Sequence, residues 1–260
     1  MAFRGLNQGA LTRFNSATSS EFLKSYEGFV LDDIQNSRTE PSAKTFAPSS
    51  MRCQRKSWFR LRGSEPDKIK NPDASLEFKA QLGTSVHTIV QERLKNHLGD
   101  DWVEVEDYIH IRNDELKYFN DYSLNKTGYE TQIELFDIPI RFSCDGILRL
   151  NGNYVLLEIK TVEFADFNNL TDIKNCHIDQ IKTYGTLLQL SKILVMYIDR
   201  QYGQVKVYEH NLKTYEMNEV IDNIHNVLSM VDVNLAPDRL DYSDYMCTNC
   251  EYKKKCKEWG

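Results

Sequence analysis

Apolar and polar residues recur along this chain with two different periods, and segments with one period alternate with segments that have the other. Helical spacing predicts helices over residues 20–34, 76–98, 176–190 and 214–233. Spacing of two predicts strands over residues 102–112, 154–160, 193–199 and 204–210, and two short strands between 131 and 143 that meet near Asp137. This order of elements predicts an α/β (α+β mixed) domain with a central mixed sheet flanked by helices.

The dipeptide Asn151-Gly152 lies between two apolar runs and predicts a tight β-hairpin, because both residue types tolerate the positive φ of a type I′ turn. Counting outwards from this turn places Asp145 opposite Glu158. Side chains that oppose each other directly have Cβ atoms about 4.5–5.5 Å apart. Strand alternation puts Lys160 on the same face as Glu158. The pattern therefore predicts two carboxylates and a lysine at one place on a sheet.

Two interpretations of this group are open from the residues alone. Carboxylates this close repel each other, and Mg²⁺ or Mn²⁺ removes the repulsion by taking oxygen ligands. Such a cation polarises a phosphodiester and lowers the pKa of a bound water, while a nearby lysine stabilises developing charge. The alternative is a cross-strand salt bridge on a solvated face. Apolar residues on both faces of 154–160 predict a strand buried on both sides, and this favours a functional site because a buried ion cluster is costly.

Two predicted helices carry polar residues that would suit such a site. His87 lies one turn after Gly83 and offers an imidazole ligand, and the glycine would let another backbone come close. A lone histidine on an amphipathic helix is nevertheless more often a core or surface residue. Gln180 and Tyr184 are also one turn apart and share a helical face, which for the pair alone indicates an ordinary polar edge.

The charge of the chain is distributed unevenly. The chain has 260 residues, with 38 acidic and 32 basic side chains, and its net charge of −6 by itself argues against a nucleic-acid partner. However, residues 100–145 hold twelve acidic and four basic residues, whereas residues 51–70 hold seven basic and two acidic ones. We therefore expect nucleic-acid contacts from the basic stretches, with Trp58 or Trp259 for stacking. The candidate contacts are Arg52, Arg55, Lys56, Arg60 and Lys254.

Three of the six cysteines fall within the last 14 residues, at Cys247, Cys250 and Cys256. No apolar run reaches the roughly 18 residues that span a bilayer, and the chain begins with polar sequence, so we expect a cytoplasmic protein without membrane contact. In a reducing compartment, clustered thiols more often bind a metal or an iron–sulfur centre than form disulfides. The spacing alone does not separate zinc from iron–sulfur.

Four motifs occur in order: Gly83-x-x-x-His87, Cys144-Asp145-Gly146, Glu158-Ile159-Lys160 and Gln180-x-x-x-Tyr184. This series resembles that of the RecB-like PD-(D/E)XK nucleases, over about residues 50–260. The resemblance implies a restriction-endonuclease-like core in which His87, Asp145, Glu158 and the Ile159 carbonyl bind Mg²⁺ or Mn²⁺. It places Lys160 beside the attacking water. It also implies that Gln180 and Tyr184 support the site and contact the DNA strand.

The cysteines resemble those of the iron–sulfur subgroup, which includes the AddB nuclease domain and the nucleases of CRISPR spacer acquisition. In that subgroup one cysteine precedes the first motif and three follow the last, ending in CxxC-x5-C. The resemblance implies a 4Fe–4S cluster on Cys53, Cys247, Cys250 and Cys256, within a nuclease domain over residues 51–260. Residues 1–50 would be a helical extension. Cys144 and Cys176 match no ligand position and are expected to be small apolar core residues.

These features predict a metal-dependent DNA exonuclease that acts on single-stranded or frayed ends, in a phage or CRISPR-associated setting. The sequence contains no GxxxxGKS/T phosphate loop, so any unwinding would come from a helicase or recombination partner. Two alternatives remain: a non-catalytic DNA-end-binding or adaptor protein, with zinc in place of the cluster, and a structure-selective endonuclease.

Overall fold

The computed structural model describes residues 19–37, 44–67, 74–248 and 250–259, which belong to two compact units. The first unit comprises Met1–Pro41 and Ile69–Leu82, and the second comprises Ser42–Lys68 and Gly83–Gly260. Within the second unit, Phe46 is buried and pairs with Ile140. Residues 1–18 and 38–43 of the predicted extension lie outside the described residues. No helix in the described ranges has the length and apolar character needed to cross a membrane.

The helices and strands follow closely the order that the periodicity predicts. The helices are α1 (Ser19–Ser37), α2 (Gln54–Leu61), α3 (Ala74–Leu98), α4 (Val105–Arg112), α5 (Phe164–Asn168), α6 (Asn175–Leu187), α7 (Thr214–Asp232), α8 (Tyr245–Thr248) and α9 (Lys253–Glu258). The strands are β1 (Trp102–Val103), β2 (Tyr122–Thr127), β3 (Glu130–Leu135), β4 (Ile140–Cys144), β5 (Gly146–Leu150), β6 (Asn153–Val162), β7 (Lys192–Asp199) and β8 (Val205–Asn211). The predictions missed β2, α2, α5, α8 and α9.

Two sheets occupy the second unit, which is a mixed α/β structure as predicted. The larger sheet has the order β1-β5-β6-β7-β8, and its β6–β7 pair is parallel while its other pairs are antiparallel. The smaller sheet is antiparallel, with the order β2-β3-β4. Asp145 is the single residue between β4 and β5. It therefore lies where the chain leaves one sheet and enters the other.

The predicted hairpin between β5 and β6 is confirmed. Asn151 and Gly152 have φ values of 51° and 77°, which is the left-handed region that a type I′ turn requires at both positions. The β5–β6 ladder ends at the pair Gly146–Leu157. One further step outwards sets Asp145 across from Glu158, as the sequence predicts.

Helices cover both faces of the larger sheet. On one face, Leu157 and Ile159 of β6 pack in a cluster with Val86 and Val90 of α3. On the other face, Leu156 belongs to the main core together with residues of α6. Residues 155–159 of β6 are all buried, which confirms a strand covered on both sides. Glu158 is thus withdrawn from solvent, whereas Lys160 is half-buried.

The predicted strand over residues 102–112 is wrong beyond Val103. Residues Val105–Arg112 form α4, and the buried positions Val105, Tyr108 and Ile109 follow helical spacing. Glu106 and Asp107 lie in the first turn, where acidic side chains favour a helix. The sequence pattern was ambiguous because the apolar residues of this segment fit both the spacing of two of a strand and the spacing of one face of a helix.

Gly185 of α6 lies in a tightly packed place. A Cβ at this position would lie 2.7 Å from the Leu190 carbonyl oxygen and 2.9 Å from Cδ2 of Leu212. Because the backbone cannot yield cheaply, we expect Gly185→Ala to lower the free energy of unfolding by about 1–3 kcal/mol. Urea denaturation measures this. Gly28→Ala is the control, since its Cβ would meet nothing within 4 Å. Equal stability of Gly185→Ala and wild type would contradict the packing.

Candidate metal centre

Asp145 is anchored by three different contacts. Its Oδ2 accepts a hydrogen bond from the backbone N–H of Ile159 at 2.6 Å, and its Oδ1 lies 2.9 Å from Nδ1 of His87. Gln91 donates its amide to the Asp145 carbonyl at 2.7 Å. Asp145 is only 6% exposed. The junction residue is therefore held by both β6 and α3.

His87 reaches Asp145 because α3 approaches β6 closely at Gly83. A Cβ on Gly83 would lie 3.3 Å from Oγ1 of Thr161, so the close neighbour is a side-chain hydroxyl and not the backbone that we expected. Burial lowers the pKa of His87, but the hydrogen bond and the negative charge of Asp145 outweigh burial and raise the pKa overall. The structure thus brings His87 and Asp145 together.

Lys160, Glu158, Gln180 and Tyr184 form one hydrogen-bonded network. Lys160 Nζ lies 2.5 Å from Glu158 Oε1 and donates to Gln180 Oε1 at 3.1 Å. The Gln180 amide donates to Glu158 Oε1 at 3.1 Å and to the Tyr184 hydroxyl at 2.7 Å. Tyr184 is buried and stacks on Phe142, with 5.5 Å between ring centroids. The salt bridge between Lys160 and Glu158 is therefore present, but it lies within a hydrogen-bonded polar cluster and not on a solvated face.

Glu158 carries an unsatisfied oxygen. The residue is 3% exposed, and its Oε2 is buried without a hydrogen-bond partner. Burial raises the pKa of Glu158 and the charge of Asp145 raises it further, although Lys160 acts in the opposite direction. An unpaired buried polar atom costs about 1–3 kcal/mol. A cation beside this carboxylate would offset that cost, so the donor set fits a divalent metal.

The structure adds Glu130, a residue that the sequence analysis missed. Donor atoms of His87, Glu130 and Asp145 lie within 4.8 Å of one another, the only such group of three among the described residues. Burial raises the pKa of Glu130, and the charge of Asp145 adds to the rise. Three carboxylates therefore lie close together in this part of the second unit.

A signal for Glu130 was present in the sequence. The β3–β4 ladder ends at the pair Thr131–Cys144, so one further step outwards sets Glu130 across from Asp145. The loop at 136–139 sets this register, and the turn predicted near Asp137 places the pairing to within one residue. Counting from the other hairpin gave Glu158 in the same way.

The four predicted cluster ligands line one small cavity. Cys53, Cys247, Cys250 and Cys256 surround it together with Phe59, Tyr252 and other residues. Burial raises the pKa of Cys53 to about 11, and the other three cysteines add to the rise. Cys144 lies elsewhere, in the main core, and Cys176 is half-buried on α6. The donor set fits a thiolate-bound metal group, and binding such a group would displace thiol protons.

The distances between the cysteine sulfurs can be compared with those around a single zinc ion. A tetrahedral zinc ion has Zn–S bonds of about 2.3 Å, which brings its sulfurs to about 3.8 Å from one another. Within the described residues, no three cysteine sulfurs come within 4.8 Å of one another. In each set of three, at least one pair of sulfurs is therefore more than 4.8 Å apart.

Arg55, a candidate for DNA contact, lies inside the protein. It is 6% exposed and donates Nε to the Pro237 carbonyl at 2.7 Å and Nη1 to the Cys256 carbonyl at 3.3 Å. Trp58, a candidate for base stacking, is fully buried. Neither side chain is presented to a nucleic acid, because core packing holds both.

The other basic candidates lie nearer the surface. Arg52 pairs with Asp244 at 3.0 Å, Lys56 pairs with Glu251 at 2.9 Å, and Arg60 donates to the Thr45 carbonyl at 3.2 Å. The Lys254 side chain is 79% exposed. Exposed ion pairs contribute little energy, so the charges of Arg52 and Lys254 remain available to a phosphate, whereas Lys56 is only 16% exposed.

His177 of α6 lies one turn before Gln180, with Nδ1 at 2.8 Å from the Tyr197 hydroxyl. Burial lowers the pKa of His177 to about 4, and the charges of Lys160 and Lys174 contribute. The unfolded-state pKa is about 6.5, so its stabilising contribution is complete above that pH and is lost as the pH falls towards 4. We expect the free energy of unfolding to fall by roughly 3 kcal/mol across this window from His177 alone.

His177→Gln should remove this part of the pH dependence. Urea denaturation at about pH 7.5 and about pH 4 gives the difference for wild type and variant. His110→Gln, which replaces an exposed histidine of α4, should keep the wild-type difference. An unchanged pH dependence in His177→Gln would contradict the prediction.

No protein-family model matches the sequence, and no curated protein matches it. Among solved structures, SSO0001 is 19% identical, with 92% of this chain and 99% of that protein covered and a TM-score of 0.49. LHK-Exo, an alkaline exonuclease from Laribacter hongkongensis, is 12% identical, with 74% and 90% covered and a TM-score of 0.39. LHK-Exo in complex with dAMP gives 14% identity, the same coverage and a TM-score of 0.43. These values are too low to assign a family, so a function has to be derived from the site itself.

Proposed function

We propose that the chain is a divalent-metal-dependent DNA nuclease of the PD-(D/E)XK type, which hydrolyses phosphodiester bonds. One observation carries this proposal: the Asp145 carboxylate lies against His87 of α3 and next to the Glu158–Lys160 pair of β6. Imidazole, carboxylates and a lysine in one buried cluster are the groups that metal-dependent phosphodiester hydrolysis uses. A purely structural salt bridge would have no need of His87 or of the unpartnered oxygen on Glu158.

His87, Asp145, Glu158 and the Ile159 carbonyl would hold Mg²⁺ or Mn²⁺, which supplies an activated water and neutralises phosphate charge. Lys160 stabilises the negative charge that develops on the phosphate as the water oxygen bonds to phosphorus and the ester P–O bond breaks. The proton released by the water goes to solvent, and the departing oxygen takes up a proton.

Gln180 and Tyr184 act in this proposal as positioning residues. Gln180 contacts both Lys160 and Glu158, so it keeps the two side chains at a fixed separation. Tyr184 accepts a hydrogen bond from the same amide and thereby sets its orientation. Because Tyr184 is buried, we assign it no contact with the DNA strand, although the motif resemblance implies one.

We assign single-stranded or frayed DNA ends as the substrate, following the motif resemblance. Arg52, Lys56, Arg60 and Lys254 would contact phosphates, and a helicase or recombination protein would supply the unwound end. Arg55 is left out because its guanidinium faces the interior. Such contacts would make binding weaken steeply with salt.

We also assign a 4Fe–4S cluster to Cys53, Cys247, Cys250 and Cys256. The resemblance of their spacing to the iron–sulfur subgroup supports this assignment, and all four side chains line one cavity. Arg55 supports the assignment, because its Nη1 lies 3.8 Å from Cys256 Sγ and offsets part of the thiolate charge. When bound, the cluster would join α2 to the C-terminal segment.

End-labelled linear and covalently closed circular single strands test the activity directly. With Mn²⁺ we expect the linear strand to be degraded and the circle to persist, and we expect EDTA to stop the reaction. Cleavage of the circle would favour the structure-selective endonuclease. Binding of ends without cleavage by the folded protein, in Mg²⁺ and in Mn²⁺, would favour the adaptor protein and contradict the proposal.

A further inference from the structure

Glu130 belongs to none of the four sequence motifs, yet the fold places it beside Asp145. It is the first residue of β3, directly after the turn at 128–129, and its last ladder partner in β2 is Thr127. Asp145 is the next residue after β4, whose ladder with β3 ends at Cys144. Glu130 therefore lies next to Asp145 on the side of the smaller sheet. Glu158 lies next to Asp145 on the side of the larger sheet.

The two glutamates differ in what surrounds them. Glu158 Oε1 is already occupied by Lys160 and Gln180. In contrast, no lysine or arginine of the described chain lies within salt-bridge distance of Glu130, which is hydrogen-bonded to Ser143 and lies near the charges of Asp145 and His87. Donor atoms of Glu130, His87 and Asp145 lie within 4.8 Å of one another, whereas Glu158 forms no such group with His87 and Asp145. Of the two, Glu130 is thus the carboxylate without a basic side chain at salt-bridge distance.

The charge of Glu130 is only partly compensated, by a hydrogen bond to Ser143 and by the charges of His87 and Lys160. Glu130 is half-buried beside Asp145, and like charges at this separation repel each other strongly away from water. A salt bridge would normally relieve such repulsion, but the described residues provide none here. A divalent cation bound by oxygen and nitrogen ligands would relieve it instead.

We infer that Glu130 is a ligand of the divalent cation, together with His87 and Asp145. This inference rests on the proposed function, but it adds a ligand that neither the motif series nor the hairpin around Asn151-Gly152 includes. Because Glu130 lies on the smaller sheet and His87 lies on the helix over the larger sheet, the bound cation cross-links the two sheets. Cation binding therefore stabilises the fold as well as the reaction.

Mn²⁺ binding to the full chain tests the inference without any activity measurement. Free Mn²⁺ is followed by electron paramagnetic resonance, and Mn²⁺ prefers carboxylate and imidazole donors to the thiolates of the cysteine cavity. We expect Glu130→Gln to weaken binding by about tenfold or more. Glu134→Gln is the matched control: it makes the same change on β3 at a residue that pairs with Arg141, at 2.8 Å, outside the site. It should bind as wild type does.

Thermal unfolding supplies a second readout. Without Mn²⁺, Glu130→Gln should unfold no earlier than wild type, because the substitution removes repulsion from Asp145. With Mn²⁺, the rise in Tm should be clearly smaller in Glu130→Gln, since stabilisation follows affinity.

The outcomes separate the inference from the proposed function. Wild-type affinity in Glu130→Gln, or equal weakening in Glu130→Gln and Glu134→Gln, overturns the inference and leaves the proposed nuclease intact. Absence of Mn²⁺ binding by wild type overturns both. Weakened binding in Glu130→Gln alone, with the apo protein equally stable, supports Glu130 as a ligand.

Discussion

Asp145→Asn is expected to reduce Mn²⁺-dependent cleavage of single-stranded DNA by at least about 10³-fold, which corresponds to about 4 kcal/mol of transition-state stabilisation. Asparagine is nearly isosteric and can still accept the hydrogen bond from the Ile159 N–H, so the junction between the two sheets should keep its shape. The change removes the charge that a cation needs. It also relieves repulsion with Glu158 and Glu130, so the unfolding midpoint should not fall.

Single-turnover cleavage of an end-labelled strand measures the rate, and circular dichroism on the same preparation measures the unfolding midpoint. A rate within about tenfold of wild type, from protein that is fully folded, would contradict the role of Asp145. A loss of folding would instead show that Asp145 is mainly a structural link between the sheets.

Lys160→Met examines the lysine charge separately. The methionine keeps most of the aliphatic length, but it leaves Glu158 without its cationic partner, and the pKa of that carboxyl should rise further. We expect a loss of activity comparable to that of Asp145→Asn. Lys192→Met is the matched control, because Lys192 lies on β7 and pairs with Glu209 at the surface at 3.4 Å. It should retain wild-type activity.

Cys256→Ser is expected to remove most of the bound iron and to destabilise the C-terminal segment by several kcal/mol. Metal-binding free energy becomes folding free energy when the ligands come from separate parts of a chain. Cys53 and Cys256 lie about two hundred residues apart in sequence and line the same cavity. Without the cluster, this region would depend on contacts such as the Trp58–Trp259 edge-to-face pair.

Iron content and visible colour after anaerobic purification, together with thermal unfolding, measure the effect of Cys256→Ser. Wild type should hold about four irons per chain. The control is Cys176→Ser, a half-buried thiol outside the cavity, which should keep both iron and stability. Stoichiometric zinc in colourless wild-type protein would contradict the cluster. Iron-free wild-type protein with unchanged stability in Cys256→Ser would contradict any metal role for the four thiols.

Several parts of the site were predictable because they depend on local geometry. The turn at Asn151-Gly152 sets the β5–β6 register by its φ values alone, and the register then aligns Asp145 with Glu158. The one-turn spacing of Gln180 and Tyr184 on α6 likewise requires only helical periodicity. The strand predicted after Val103 failed because its apolar residues fit both periods, and packing against the core selected the helix.

The sequence by itself determined most elements, the mixed α/β class, the alignment of Asp145 with Glu158 and the motif order that suggests a nuclease. These features follow from side-chain periodicity and turn chemistry, which act over a few residues. Only the tertiary structure decided which side chains meet across elements. It brought His87 of α3 to Asp145 and Glu130, it withdrew Arg55 into the cavity of the cysteines, and it left one Glu158 oxygen unpartnered. Those outcomes depend on how two sheets and α3 pack, and long-range packing is not encoded in any short stretch of the chain.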